Sequence, residues 1–196
     1  MRVFVAAEIP APIRRELAGL RERMPAAPGL RWVRSEGIHL TFRFLGESGQ
    51  DRVELLRGTL PGPVSLLPPI PVRFERLGTF PPAGLPRVFW AGLAGDLAAL
   101  SALAVCVESA VVACGWDPES RPFHPHVTLA RASSPAAGAC LRKGLSADPA
   151  WTREWPGRAM DFIVSELTLF ESHLGPGGAR YTALGAFPLG VPGERP

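Results

Sequence analysis

The chain has 196 residues, 46% of them apolar and 20% charged, with a formal net charge of +3. That balance is enough to bury a sizeable core and excludes a charge-rich disordered chain. The longest apolar run, Leu97 to Val107, falls well short of the ~18 residues that mark a membrane span, so no membrane partner is expected.

Residues 1–98 carry 13 basic and 9 acidic side chains, residues 99–196 carry 8 and 9, and every basic residue except Lys143 is arginine. Arginine forks onto phosphate in a bidentate way that lysine cannot, although Arg-rich and Ala-rich composition also follows from genome bias alone. Cys106, Cys114 and Cys140 are an odd set with no C-x-x-C spacing. They point away from a disulfide framework or zinc site and towards a reducing cytoplasm. Val3 to Ala7 is too short for a signal peptide, and Glu8 follows at once.

Arg2 to Ala7 reads as a strand. Pro10 and Pro12 open a helix, whose stripe of Ile13, Leu17, Leu20 and Met24 follows helical spacing until Pro25 to Gly29 breaks it. Arg31 to Arg34 reads as a short strand leading into another from Ile38 to Leu45, closed by Gly46. A second helix is expected over Asp51–Leu60 with Val53 and Leu56 inward, then a loop from Pro61 to Pro71. Val72–Leu77 and Arg87–Leu93 form a strand pair with a long Gly/Pro link. Asp96 to Cys114 reads as the longest helix, capped by Asp96, stopped by Gly115, and apolar nearly all round, so that much of it should be buried. A strand up to Arg131, a helix over Pro135–Leu145, and strands over Phe162–Phe170 and Ala179–Phe187 follow. The tail is expected to fray from Leu189.

Within this pattern one short stretch occurs twice. Ile38-His39-Leu40-Thr41-Phe42 and Pro125-His126-Val127-Thr128-Leu129 each place a His and a Thr two residues apart inside an apolar, strand-like run, 87 positions from one another. Alternation in a strand puts His39 and Thr41 on one face and Leu40 and Phe42 on the other; His126 and Thr128 repeat the arrangement. With 4 His and 7 Thr in the chain, chance yields well under one such triplet. A single copy is best read as a half-buried His bonded to its Thr. Two copies in matching contexts point to a shared cleft. Each half then runs His-x-Thr strand, helix, strand, strand, an echo that favours two lobes of one unit spanning residues 1–196 over two separate domains.

Paired imidazoles and hydroxyls suit phosphodiester cleavage by in-line displacement. One imidazole takes a proton from water and the other protonates the departing oxygen from the opposite side of phosphorus. Histidine titrates near neutrality, so one ring can be neutral while the other is charged. The hydroxyls of Thr41 and Thr128 can hold the phosphoryl oxygens.

The chain resembles the 2H phosphoesterases and, within them, the bacterial and archaeal 2′-5′ RNA ligase-like group, the RNA 2′,3′-cyclic phosphodiesterases. The matching segments are Arg2–Ala6 with Pro10, Ile38–Phe42 running on to Phe44-Leu45-Gly46, Pro86–Gly92, Phe123–Arg131, and Glu171-Ser172 with Gly177–Tyr181. The resemblance implies an α+β, bilobal fold in which two pseudo-symmetric lobes of mainly antiparallel sheet line a central cleft, with helices outside. It implies hydrolysis of RNA 2′,3′-cyclic phosphate ends to 2′-phosphates, with 2′-5′ joining as related chemistry. His39 would be the proton donor and His126 the proton acceptor, with no metal and no nucleotide cofactor. The partner would be such an RNA end or a related nucleotide, bound by a monomer without an obligate protein partner.

Two positions depart from the family pattern. His124 stands where members often have Arg. Arg131 matches the family's phosphate-linked Arg, yet strict alternation puts it on the face opposite His126, so it reaches the cleft only if the strand twists, bulges or ends nearby. Arg43 lies two residues beyond Thr41 on the same face, and binding or plain solvation accounts for it equally well.

Rival readings are a metal site on His124-Pro125-His126 with Asp117 or Glu119, which leaves His39-Thr41 unexplained; a phosphate-binding module without turnover; and a related enzyme for a small cyclic nucleotide. An ATP-dependent ligase would need a Lys nucleophile, and Lys143 sits in no such motif. Trp32, Phe42, Phe123, Trp151 and Trp155 could stack bases, but core packing explains them better. His173 has no Thr two residues on and reads as a surface residue.

Overall fold

Both faces of the first strand, β1 (Arg2–Glu8), are buried, and this places it at the heart of the sheet. Val3, Val5 and Ala7 enter the main core, while Phe4 and Ala6 join Phe170 and Tyr181 in a second cluster on the other face. A computed structural model describes residues 1–24, 26–148, 155, 160–175 and 178–190. After β1 come α1 (Ala11–Gly19), β2 (Leu30–Trp32), β3 (His39–Glu47), α2 (Gln50–Thr59), α3 (Pro61–Ser65), β4 (Ile70–Phe80) and β5 (Val88–Gly95). Then follow α4 (Leu97–Ala113), β6 (His126–Ala132), α5 (Pro135–Ala147), β7 (Asp161–Val164), β8 (Glu166–Gly175) and β9 (Gly178–Pro188).

The strands run in the order β7-β4-β5-β6-β3-β1-β8-β9, with β2 also paired to β6. Every pairing among the described strands is antiparallel. Along that order four strands lie on each side of the β3–β6 seam, with β2 added on the β6 side, so the sheet has the two-sided α+β plan that the resemblance implied. The sides are not the two sequence halves. One takes β1 and β3 from the start of the chain with β8 and β9 from its end; the other takes β4 to β7 from the middle. Bulges interrupt the β1–β3, β4–β5, β5–β6 and β8–β9 pairings. Each adds bend and twist, which favours a curled sheet.

The main core lies between the sheet and the helices. Leu17 of α1, Val53 and Leu56 of α2, Val64 of α3, Leu100, Leu103, Val107 and Val111 of α4, and Leu141 of α5 meet Leu40, Phe74, Phe89, Ala91 and Val127 from the strands. Asp96 caps α4 as expected, its carboxylate accepting from the Ala99 N–H at 2.9 Å. Gly115, at φ +89°, ends it. Less of α4 is buried than its all-round apolar pattern leads one to expect: Leu100, Leu103, Val107, Ala110 and Val111 are buried. Val105 is 65% exposed, and Leu97 and Val112 also face outward, because only one side of a helix lying on a sheet meets the strands.

Four other expectations need correction. The loop proposed over Pro61–Pro71 contains α3, which Pro61 starts at a position where a missing N–H costs nothing. Gly46 does not close β3; at φ +68° it sits in a bulge and the strand continues to Glu47. The single strand expected over Phe162–Phe170 is two, β7 on β4 and β8 between β1 and β9, divided at Ser165. Fraying does not begin at Leu189, which is buried and donates its N–H to the Ser165 carbonyl at 2.8 Å; residues 191–196 lie outside the described residues. No described helix is long and apolar enough to cross a membrane.

Candidate active site

Leu40 of β3 pairs with Val127 of β6, and both are fully buried. In an antiparallel pair this register sets His39 opposite Thr128 and Thr41 opposite His126, with all four side chains on the face away from the Leu40–Val127 core contact. His39 and His126 are then diagonal neighbours, with Cβ atoms roughly 7–8 Å apart by the spacing of such pairs. That gap suits a phosphoryl group. The repeat seen in the sequence is thus brought together at one seam.

The surroundings of each imidazole repeat as well. His39 stacks on Phe4 with ring centroids 4.7 Å apart and meets the edge of Tyr181 at 5.2 Å. His126 meets Phe80 edge-on at 5.2 Å and Trp90 at 6.2 Å. Phe4 lies on β1 beside β3, and Trp90 lies on β5 beside β6, so equivalent strands on the two sides of the seam supply equivalent supports. Nor does either ring bond its own Thr. The His126 Nδ1–H donates to the His124 carbonyl at 2.7 Å. His39 has a hydrogen bond with the Gly37 backbone that raises its pKa, the sense of an accepting carbonyl. In both cases the partner is two residues upstream, which orients the ring; for His126 this leaves Nε2 for the cleft. Among the described residues neither Thr41 nor Thr128 spends its hydroxyl on a hydrogen bond.

Burial holds the His39 imidazole down at about 4, against the Gly37 bond, and the positive charge of Arg131 adds to the fall. The His126 pKa is lowered too, chiefly by burial, with His124 and Arg131 contributing and the His124 carbonyl opposing. Burial raises the Tyr181 phenol, while Arg131 and Arg2 pull it back. One guanidinium therefore acts on both imidazoles.

Arg131 reaches the cleft face because β6 bulges. Phe89 pairs with Ala130 but Trp90 pairs with Thr128, so Leu129 is an extra residue. Leu129 and Ala130 are consecutively buried. The alternation slips by one, and Arg131 returns to the face of His126. Arg43 goes the other way. Its Nε lies 2.7 Å from Glu108 Oε2 on α4, Nη1 bonds Glu119 Oε2 at 3.3 Å, and Nη2 donates to the Asp117 carbonyl. The bulge at Phe42 breaks the alternation that made Arg43 a cleft candidate, and its charge is spent on two carboxylates behind the sheet. The same contacts weigh against the metal reading, since Arg43 and Arg121 both hold Glu119.

His124 is exposed at the cleft edge, its ring 6.3 Å from Phe80. His173 lies on the exposed part of β8, beside Thr182 and Glu171. Trp32 packs on Phe89, Phe42 on Phe123 and Trp155 on Phe74, all in or against the core; Trp151 lies outside the described residues. The aromatic supports Phe4, Phe80, Trp90, Phe170 and Tyr181 were missed by sequence reasoning. Signals existed for two of them: the unbroken apolar run of β1, which means burial on both faces, for Phe4, and Gly78 and Gly92, which leave room for the ring, for Trp90.

The family model of the 2′-5′ RNA ligase superfamily matches residues 9–176. The RNA 2′,3′-cyclic phosphodiesterase of Escherichia coli K12 is 32% identical over 93% of this chain and 93% of its own length. That of Geobacillus stearothermophilus is 30% identical over 86% of this chain, which spans 51% of that relative's length. The crystal structure of E. coli LigT complexed with 3′-AMP superposes with a TM-score of 0.76 at 30% identity, covering 96% of this chain and 97% of that one.

Proposed function

The chain belongs to the 2′-5′ RNA ligase superfamily, and from that premise we propose that this 2′,3′-cyclic phosphodiesterase opens RNA cyclic ends by acid–base catalysis between His39 and His126, leaving a 2′-phosphate. The observation that supports this reading is the Leu40–Val127 register, from which both His-x-Thr pairs fall on one face of the sheet across the seam.

In the proposed step a water attacks phosphorus on the His126 side and passes its proton to Nε2. The P–O3′ bond breaks on the opposite side, and His39 gives its proton to O3′. Phosphorus keeps its bond to O2′, so the product is the 2′-monoester. The His126 Nδ1–H is committed to a carbonyl, which leaves Nε2 as the basic nitrogen. Thr41, Thr128 and Arg131 hold the non-bridging oxygens as negative charge builds on them. In the empty site His39 is neutral near neutral pH. An anionic ring phosphate offsets the field of Arg131 and favours the imidazolium, the form that a donor needs. No covalent enzyme intermediate is needed. When a 5′-hydroxyl replaces water, the same transfers make a 2′-5′ linkage.

The test is a short oligonucleotide with a 2′,3′-cyclic end, incubated in EDTA, with the product isomer identified. The 2′-phosphate is expected; recovery of 3′-phosphate alone contradicts the leaving-group assignment. His39→Ala and His126→Ala should each lose about 10²-fold or more in kcat, and a near-wild-type rate removes that residue from the mechanism.

A further inference from the structure

A cavity of about 400 Å³ opens beside His39, away from the β6 side of the seam. Arg14 of α1, Arg34 ahead of the turn that leads into β3, and Arg180 of β9 line it, with Tyr181 and the carboxylates of Glu8 and Glu36. Among the described residues none of the three guanidinium groups has an ion-pair or side-chain hydrogen-bond partner. Three arginines against two glutamates leave a net positive wall, and the planar guanidinium matches phosphate oxygens.

We propose that this cavity is a second phosphate subsite, which takes the phosphate on the 5′ side of the terminal nucleoside. The assignment rests on the phosphodiesterase reading above. There His39 protonates O3′, so the ribose sits on the His39 side of the reacting phosphorus. The 5′ carbon of that ribose then leads away from the seam towards Arg14, Arg34 and Arg180. Nothing comparable is needed on the His126 side, where water enters. The consequence is a substrate rule: a cyclic end bearing a 5′-phosphate, whether free or joined to a preceding nucleotide, is preferred over a nucleoside 2′,3′-cyclic phosphate with a bare 5′-hydroxyl.

The experiment uses the full chain and three substrates: adenosine 2′,3′-cyclic phosphate, its 5′-phosphorylated form, and the adenylyl dinucleotide with the same cyclic end. Charge-assisted hydrogen bonds of this kind are worth about tenfold each. The 5′-phosphate is therefore expected to raise kcat/KM by about tenfold or more, mainly through KM, and the gain should shrink with added salt. In Arg14→Gln, Arg34→Gln and Arg180→Gln the ratio between phosphorylated and unphosphorylated substrates should fall towards one. Thermal melts accompany the variants. Arg34 and Arg180 are exposed, so their variants carry the test if Arg14→Gln does not fold. Equal kcat/KM with and without the 5′-phosphate overturns the subsite and leaves the phosphodiesterase reading standing. A preference that survives undiminished in the folded variants also overturns it, by placing the phosphate elsewhere. Failure to open any of the three substrates overturns the phosphodiesterase reading and this inference with it.

Discussion

His39 and His126 share a residue type, a backbone partner two positions upstream and an aromatic seat, yet the proposed mechanism gives them different tasks. Both are depressed from the ordinary histidine range, His39 to about 4. A base benefits, because it must be neutral to accept a proton; a donor does not, unless substrate restores its charge. This sets a kinetic expectation. The profile of kcat/KM reports the free enzyme and kcat the complex. The fall of kcat/KM on the alkaline side, where His39 lacks its proton, should therefore begin below pH 6.5, whereas kcat should hold to higher pH. Arg131→Gln removes a charge that lowers both rings, so it should move the kcat/KM fall to higher pH while raising KM. Coincident profiles for kcat and kcat/KM, unmoved in Arg131→Gln, would contradict the assignment. Arg43 offers the contrast: by sequence it had the simpler path to the cleft, but Glu108 and Glu119 hold it on the far side.

Among the elements, the strands that flank the seam matter as much as the two that carry histidine. Trp90 of β5 supports His126, and it lies flat across a glycine of β4. A Cβ added at Gly78 would stand 2.2 Å from Cζ2 of the Trp90 ring, closer than any relaxed contact. Gly78→Ala should displace the indole, cost about 1–3 kcal/mol through overpacking, and lower kcat by loosening the seat of His126. Gly58 of α2 has nothing within 4 Å of its would-be Cβ, and Gly58→Ala should instead leave stability unchanged or raise it by up to about 1 kcal/mol. Chemical denaturation of the two variants distinguishes these outcomes; equal stability would mean that Trp90 has room to move. The elements themselves were largely legible in the chain. Of the stripe Ile13, Leu17, Leu20 and Met24 the last three are buried as expected, but α1 ends at Gly19 and a tighter 3-10 turn over Leu20–Arg23 carries the chain on. The cap at Asp96 and the stop at Gly115 are local signals and appear in the structure where expected. The outward face of α4 was not, because hydrophobic periodicity reports what can be buried and not which side meets a sheet.

For the whole molecule, the His39 seat ties stability to pH. A histidine whose pKa falls from 6.5 unfolded to about 4 folded binds its proton more readily in the unfolded chain. Its neutral form is favoured by folding, so the native state loses ground as pH drops from about 6.5 to about 4. The integrated loss is roughly 3 kcal/mol. Above pH 7 this group contributes no pH dependence. Replacing it by a neutral side chain should flatten that part of the stability curve: His39→Leu is expected to lose less stability than the wild-type chain between pH 7 and pH 4.5, read as denaturant midpoints. An equal acid-induced loss in both proteins would mean that His39 is not held neutral by the fold.

Alternation along β3 and β6 alone settled that each His-Thr pair shares a face, and the doubling of the motif alone argued for a shared site, since side-chain direction in a strand depends only on local backbone period. What tertiary structure decided was everything that depends on register between distant segments. It placed Leu40 against Val127 and divided the strands so that chain ends and chain middle form opposite sides. It also set the bulge at Leu129 that carries Arg131 into the cleft and the bulge at Phe42 that turns Arg43 out of it. A bulge is a mismatch between two strands, so neither strand's sequence by itself contains it.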